Sequence, residues 1–203
     1  MPLNLWVPLA AICLLGAISP GPSLAVVMRH TLIGGRLNGF LTAISHGLGI
    51  ILWALLTATG IGLFIINNPQ LFYVVQLSGA LVLLFLGIRS FFAHSNSEKK
   101  PEMESKQSGS PWRDGFLISI TNPKIAIFFL ALFSQFVRPN SGWIEKIIMA
   151  LTAGIIDTLW YALVALIFSH SAILPRLRRN SNLIGKIFGI LLVALAIRVV
   201  MER

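Results

Sequence analysis

Apolar stretches about as long as a bilayer is thick recur along this chain, and they limit what it can fold into. Of its 203 residues, 56% are apolar and only 11% are charged, whereas soluble domains carry about 25% charged residues. A helix needs about 20 mainly apolar residues to cross a bilayer. We therefore expect an all-α, polytopic membrane protein with six transmembrane helices, at approximately 4–28, 38–66, 70–92, 114–137, 143–169 and 183–201.

A polar stretch, HSNSEKKPEMESKQSGSP at 94–111, divides the predicted spans into two groups of three. Its mixed charge and its prolines are typical of a flexible linker. We predict a first three-helix repeat at 1–92, a linker at 93–112 and a second three-helix repeat at 113–203. Because each group holds an odd number of spans, the second repeat must lie inverted relative to the first.

Short matches between the two groups support such a repeat. GLGIILWALL at 47–56 resembles GIIDTLWYAL at 154–163, LGIR at 86–89 resembles LAIR at 195–198, and Pro22 corresponds to Pro123. The matches keep the same order along the chain. Inverted repeats are an architecture of secondary transporters, whose sites lie near the membrane midplane at broken helices.

Basic residues in the predicted loops set the orientation. With the N-terminus outside, the cytoplasmic side holds most of them: Arg29, Arg36, Lys99, Lys100, Lys106, Arg113, Arg176, Arg178 and Arg179. The outer loops keep Arg138 and Lys146. Cytoplasmic loops are enriched in lysine and arginine, so we predict both termini on the outer, periplasmic side. The net charge of +9 then indicates contact with an anionic lipid leaflet and not with nucleic acid.

Proline and glycine interrupt two of the apolar stretches at corresponding positions, in SPGPS at 19–23 and in TNPKIA at 121–126. A broken helix frees backbone donors and acceptors inside the bilayer, where they are tolerated only against protein or a cavity. Paired interruptions point to a transport site. The candidate substrate-binding residues here are Pro20, Gly21, Pro22, Asn122, Pro123 and Lys124. The alternative is that both breaks are proline kinks that only shape packing.

Two charged residues, Lys124 and Asp157, lie deep in apolar stretches. A charge at the centre of a transmembrane helix costs about 2.5 to 3.5 kcal/mol, so it indicates function by default. Lys124 is a candidate for a substrate carboxylate, and Asp157 for a substrate ammonium group or a coupled proton. Tyr161, four residues on, shares the face of Asp157 and is a further binding candidate. The alternative is a structural Lys124–Asp157 ion pair.

His46 is the second candidate for proton coupling, because imidazole gains and loses a proton near neutral pH. His30 is expected to be a structural or surface residue. Gly35, Gly39, Ala43 and Gly47 recur every four residues, a spacing that lets helices pack closely and that permits a homodimer.

Several classes of function lack the residues they need. The single cysteine, Cys13, excludes an intramolecular disulfide and a paired-cysteine redox centre. The sequence has no nucleotide-binding loop and no Cys/His spacing for a metal, so we predict no cofactor. No serine–histidine pair stands out, and we expect no enzyme.

SPGPS, NPK followed by FF at 122–129, SQF at 134–136 and Asp157 together resemble the LysE/RhtB-type amino acid exporters. The resemblance covers essentially the whole chain. It implies efflux of amino acids across the bacterial inner membrane, driven by the proton motive force. The branch that exports basic amino acids tends to carry an acid where this chain has His46, and another near Phe128 and Phe129.

The resemblance therefore implies a neutral substrate such as homoserine, threonine or leucine. Export of a basic amino acid or another small metabolite, or a membrane channel, is the alternative.

Overall fold

The structure is a computed structural model that describes residues 1–19, 21–67, 69–92, 109–138, 141–168 and 174–201. Every regular element in these ranges is an α-helix, which confirms the predicted all-α class. The helices are α1 (Leu3–Ile18), α2 (Pro22–Asn67), α3 (Pro69–Phe92), α4 (Pro111–Thr121), α5 (Pro123–Phe136), α6 (Trp143–Phe168) and α7 (Leu174–Met201). Most of the predicted linker, 93–108, lies outside the described residues.

Proline begins four of these helices, at Pro22, Pro69, Pro111 and Pro123. Proline suits the first helical position because its missing N–H would have no partner there and its fixed φ angle is already helical. Two of the four prolines lie in the predicted breaks. The predicted first span is thus α1 and the start of α2, and the predicted fourth span is α4 and α5, which bend by 55° at their junction.

Helix α2 doubles back on itself at Gly35. The backbone of Gly35 has φ 76° and ψ −176°, a conformation that glycine adopts more readily than other residues. Ser23 and His46 are 23 residues apart yet lie 2.8 Å from each other, whereas a straight helix would separate them by about 35 Å. We call residues 22–34 the first arm of α2 and residues 36–67 its second arm. The packing contact expected at Gly35 is not present among the described residues, since none of their atoms lies within 4 Å of where its Cβ would be.

By length and composition alone, two of the described helices can cross a membrane, Pro22–Gly60 and Trp143–Ile167, and the bent pair α4–α5 adds a third. Three shorter apolar helices lie at Leu3–Ile18, Gln76–Arg89 and Lys186–Ile197. The predicted six spans are therefore not all recognisable by this criterion within the described residues. One reason is physical: the breaks and the turn at Gly35 divide the apolar chain into pieces that differ from single straight spans.

Large apolar side chains face outward along the helices, in the reverse of a soluble fold. Stripes on three helices are exposed, and they comprise Leu48, Leu52 and Leu56 on α2, Leu77, Leu81 and Phe85 on α3, and Ile155, Leu159 and Leu163 on α6. Serine, threonine, histidine and aspartate lie inside instead. This distribution fits a chain surrounded by lipid, where polar groups must find their partners within the protein.

Glycines allow the two halves to cross closely. A Cβ on Gly47 would lie 3.0 Å from the carbonyl oxygen of Gly154, and a Cβ on Gly154 would lie 3.0 Å from that of Gly47. These two glycines are the ones that the sequence match of 47–56 with 154–163 aligns. Gly87 of α3 and Gly189 of α7 meet in the same reciprocal way. The packing role predicted for Gly47 is thus confirmed.

Candidate functional site

The two predicted breaks meet at the centre of the molecule. The ammonium group of Lys124, in the second break, donates to the hydroxyl oxygen of Ser19, in the first, at 3.0 Å. The Nδ2 of Asn122 donates to the hydroxyl oxygen of Ser23 at 3.4 Å. Since each of these hydrogen bonds joins one half of the chain to the other, the breaks form a single site.

Asn122 both ends α4 and begins α5. Its extended backbone, with φ −75° and ψ 109°, stops α4, and its N–H donates to the carbonyl oxygen of Ile118. Its side-chain Oδ1 accepts from the N–H of Lys124 at 3.0 Å, which caps the N-terminus of α5. An asparagine cap of this kind satisfies one of the unpaired donors at a helix start. The side chain of Asn122 is consequently fixed, and its Nδ2 points to Ser23.

A buried chain of polar groups runs from α6 through α2. The Nδ1 of His46 donates to Oδ2 of Asp157 at 2.6 Å, and the Nε2 of His46 lies 2.8 Å from the hydroxyl of Ser23. The ring of Tyr161 packs edge-on against the imidazole, with centroids 5.0 Å apart. The side chains of His46 and Asp157 are only 1% and 9% exposed. Asp157 thus lies in a protein environment with its partner in the other half of the chain.

The order Asp157, His46, Ser23 is also that of a serine hydrolase triad, in which the carboxylate holds Nδ1 and the serine meets Nε2. The sequence showed no serine–histidine pair, but the structure brings Ser23 and His46 together. The pair could not be read from the sequence because Ser23 and His46 approach only through the turn at Gly35.

A cavity of about 60 Å³ opens where these groups converge, which is enough for a few water molecules or the head of a small ligand. Its polar lining comes from both breaks and from the histidine–aspartate pair: Ser19, Gly21, Ser23, His46, Asn122, Lys124, Asp157 and Tyr161. Its apolar lining includes Cys13, Gly16 and Ala17 of α1, Ile50, Ile125, Phe128, Phe129, Ala153 and Phe188. The cavity therefore has a charged region and an apolar wall.

Aromatic rings form that wall. Phe128 packs against Phe129 with centroids 5.4 Å apart, and against Phe188 with centroids 6.0 Å apart. The edge of the Phe128 ring occupies the space beside Gly16, because a Cβ on Gly16 would lie 3.1 Å from Cζ of Phe128. Because Gly16 has no side chain, the Phe128 ring can lie against α1 at this position.

Most of the predicted site residues share this cavity. Gly21, His46, Asn122, Lys124, Asp157 and Tyr161 line it. Pro22 and Pro123 begin α2 and α5 and act on the backbone, while Pro20 lies outside the described residues. Sequence reasoning missed Ser19 and Ser23, although both stand in SPGPS. Their position beside the prolines was the available signal.

The alternative of a structural Lys124–Asp157 ion pair does not match the geometry. Asp157 pairs with His46, and Lys124 donates to Ser19. Both charged groups nevertheless face one cavity. Because the ammonium group of Lys124 and the carboxylate of Asp157 do not pair with each other, both can contact a ligand in the cavity.

Comparison with known proteins finds a family and relatives that match most of the chain. A family model described as LysE type translocator matches residues 14–203. The threonine efflux protein of Escherichia coli (strain K12) is 28% identical over 190 residues, which are 91% of this chain and 89% of that protein. The leucine efflux protein of Salmonella choleraesuis is 28% identical over 159 residues, 76% of this chain and 74% of that protein.

The membrane protein YrhP of Bacillus subtilis is 26% identical over 203 residues, 95% of each chain. No solved structure matches the chain.

Proposed function

The chain belongs to the LysE type translocator family, and on that premise we propose that it is a secondary transporter that exports a small neutral amino acid from the cytoplasm in exchange for protons. Relatives named for threonine efflux and leucine efflux support export of an amino acid by a multi-pass membrane protein. The observation that carries the proposal is the cavity in which Lys124 and the His46–Asp157 pair face each other at two broken helices.

Recognition of the amino acid backbone follows from those two charges. The ammonium group of Lys124 and the N-terminus of α5, where Lys124 lies, both attract a carboxylate. Asp157 offers its carboxylate to an α-ammonium group. An amino acid zwitterion carries both ends, so one molecule satisfies the two sides of the cavity at once.

Selection of the side chain falls to the apolar wall. Phe128, Phe129 and Phe188 carry no charge, so a lysine or arginine side chain placed against them would lose its hydration without a partner. An uncharged side chain loses nothing comparable. The wall therefore supports a neutral substrate over a basic one.

Proton coupling is assigned to His46 and Asp157. An imidazole that touches a carboxylate through Nδ1 and a hydroxyl through Nε2 is able to receive a proton on one side and release it on the other. Substrate ammonium and proton would compete for Asp157, which is the simplest basis for exchange. A channel would need neither competition nor saturable binding.

Six spans in two inverted three-helix repeats remain our proposal for the architecture. Three observations support it: the breaks correspond, the first arm of α2 returns beside the second, and α2 meets α6 at the glycines that the repeat aligns. In this arrangement α1 and the first arm of α2 form one broken span, as α4 and α5 do. Both termini then lie on the periplasmic side of the inner membrane.

The experiment that tests the function is counterflow in proteoliposomes. Vesicles loaded with threonine, leucine, homoserine or lysine are given a pH gradient, and Asp157→Asn is compared with Glu145→Gln, which changes a carboxylate outside the cavity. We expect saturable, gradient-driven flux of a neutral amino acid that is lost in Asp157→Asn and kept in the control. Flux of lysine alone, or flux without saturation, would contradict the proposal.

The triad-like order of Asp157, His46 and Ser23 favours one second candidate, hydrolysis of a small ester by an activated Ser23. A fluorophosphonate reagent that reacts with activated serines distinguishes the two. Labelling that disappears in Ser23→Ala but not in Ser134→Ala would support hydrolysis. We expect no labelling of Ser23, because the hydroxyl serves the hydrogen-bond network of a transporter.

A further inference from the structure

A second histidine–carboxylate pair, partly buried, lies away from the cavity. On the first arm of α2, Nε2 of His30 donates to Oδ2 of Asp114 at 3.0 Å. The side chain of His30 is 6% exposed and that of Asp114 is 23% exposed. Asp114 belongs to the first turn of α4, so this pair also joins the two halves of the chain. The transport chemistry proposed above makes no use of it.

The pair closes one end of a seam between α2 and α4. At the cavity end of α4, Asn122 donates to Ser23 of the first arm. At the other end, eight residues earlier, Asp114 accepts from His30. That length of helix is about 12 Å. The first arm of α2 is thus held to α4 at the cavity and at the end of the helix pair.

On its other side, α4 packs against the second arm of α2 through small residues. Gly115 lies against the backbone of Thr42, with room for no Cβ, and Gly49 lies against the side chain of Ser119 in the same way. The hydroxyl groups of Thr42 and Ser119 donate to carbonyl oxygens of their own helices, at 2.8 Å and 2.6 Å. These hydroxyls do not tie α2 to α4, so the two helices can separate there without losing those hydrogen bonds.

Basic residues beside the His30–Asp114 pair indicate that this end of the seam faces the cytoplasm in the predicted orientation. Arg29 precedes His30, and Arg113 precedes Asp114. In that orientation the seam runs from the cytoplasmic end of α4, at Asp114, to the cavity, at Asn122. In this structure the seam is closed.

We propose that the His30–Asp114 pair is the latch of the cytoplasmic entrance, which must separate for substrate to reach the cavity. Gly35 is the point about which the first arm turns in that movement, since its backbone already departs from the helix, with φ 76° and ψ −176°. When α4 moves away from both arms of α2, the pair opens, and Gly115 and Ser119 leave Thr42 and Gly49 of the second arm. The inference rests on the proposed export function and on the predicted orientation.

Cys13 provides a readout that needs no knowledge of the substrate. It is the single cysteine of the chain and it lines the cavity. In inside-out vesicles, the proposal requires that a membrane-impermeant maleimide added on the cytoplasmic side reach Cys13 through the seam. We expect His30→Ala and Asp114→Ala to raise the labelling rate about tenfold, the factor that corresponds to about 1.4 kcal/mol of lost closing energy.

Arg138→Ala is the matched control, because it breaks a pair with Glu145 at the opposite end of the molecule, at 2.7 Å. Its labelling rate should equal that of the wild type. The exchange His30→Asp with Asp114→His keeps the pair and should restore slow labelling. Equal rates in the wild type and in both alanine variants would overturn the latch.

Locking the latch gives the converse test. The double-cysteine variants are built in a Cys13→Ser background, and each transport rate is compared with that of the same variant before cross-linking, because Cys13 lines the cavity. His30→Cys and Asp114→Cys are joined by a short, reducible bis-methanethiosulfonate, since an imidazole and a carboxylate separate their Cβ atoms too far for a direct disulfide. Transport should stop on cross-linking and return with reductant. The same treatment of Arg138→Cys with Glu145→Cys should leave transport unchanged, and full transport by the cross-linked latch would contradict the proposal.

The two readouts separate this inference from the proposed function. Faster labelling of Cys13 without transport of any amino acid would keep the latch and reject the amino acid as substrate. Amino acid transport with a labelling rate that ignores His30 and Asp114 would keep the transporter and reject the latch.

Discussion

The break between α1 and α2 and the break between α4 and α5 solve the same backbone problem in the same way. Ser19 and Asn122 each end a helix in an extended conformation, with φ −61° and ψ 120° for the first and φ −75° and ψ 109° for the second. The N–H of each donates to the carbonyl oxygen four residues earlier, and a proline begins the next helix. The sites of the two breaks thus correspond in their main chains.

Their side chains differ, and the difference decides the chemistry. Asn122 caps the following helix, and Lys124 brings a charge; the first break offers the hydroxyl groups of Ser19 and Ser23. The contacts are nevertheless reciprocal. Ser19, which ends α1, bonds to Lys124, the second residue of α5, and Asn122, which ends α4, bonds to Ser23, the second residue of α2. The two breaks therefore share a backbone conformation and differ in the side chains that they bring to the cavity.

The same asymmetry holds where α2 crosses α6. In the register that aligns Gly47 with Gly154, His46 corresponds to Ala153 and Ile50 corresponds to Asp157. All four residues line the cavity. Each half supplies one ionisable partner of the buried pair, so neither half holds the pair by itself.

The largest expected effect comes from removing the charge that distinguishes the second break. Lys124→Gln should lower the initial rate of amino acid counterflow about 10- to 100-fold, because a hydrogen bond to a charged group contributes about 1.5 to 3 kcal/mol. Lys146→Gln removes a lysine that lies over the ring of Trp143, away from the cavity, and should transport normally. Equal rates in the two variants would mean that the asymmetry of the breaks carries no charge recognition.

The next largest effect is on protein stability and comes from the contact between Gly47 of α2 and Gly154 of α6. Gly47→Ala and Gly154→Ala should each lower the free energy of unfolding by about 1 to 3 kcal/mol, because each adds a methyl group where backbone already lies. Gly60→Ala is the control, because a Cβ there meets no atom within 4 Å in the part of the chain that the structure describes. Denaturant unfolding in detergent measures all three. A large loss for one glycine and none for the other would break the correspondence of the halves.

The helix N-cap at Asn122 gives a smaller difference in stability between the two breaks. Asn122→Ala should destabilise the protein by about 1 kcal/mol through the lost N-cap, and Ser19→Ala by less, because Ser19 makes no such side-chain cap. Thermal unfolding in detergent compares them. Greater damage from Ser19→Ala would show that the Ser19–Lys124 contact matters more than the cap.

The smallest effect concerns the apolar wall. Gly16→Ala should displace Phe128 toward the cavity, at a cost of about 0.5 to 1.5 kcal/mol for a side chain pushed off its rotamer. We expect a several-fold rise in KM for leucine and little change for alanine, measured by counterflow. Equal changes for both amino acids would mean that the wall does not meet the substrate side chain.

Sequence reasoning reached the breaks because proline and glycine act locally. Pro22 and Pro123 start helices for reasons that lie within a few residues of each. The intramembrane charges were recognisable for a similar reason, since the cost of burying Lys124 or Asp157 does not depend on knowing the neighbour. The cavity, to which both contribute, follows from the pairing of the breaks.

The contacts themselves could not be predicted, because they depend on how distant segments are brought together. His46 and Asp157 are 111 residues apart, and nothing in the apolar sequence around either one identifies the other. The turn at Gly35 was hidden by the regular four-residue spacing of small residues in which it stands. Once α2 folds back there, Ser23 reaches His46, and His30 comes beside α4.

The reciprocal contact of the breaks also has a consequence in time. During synthesis Ser19 is made before its partner Lys124, which lies 105 residues later in the chain. At a synthesis rate of about 5 to 20 residues per second, that separation lasts roughly 5 to 20 seconds. During this interval the first break has entered the membrane without its partner, and its polar backbone depends on water, lipid headgroups or the insertion machinery until the second half arrives.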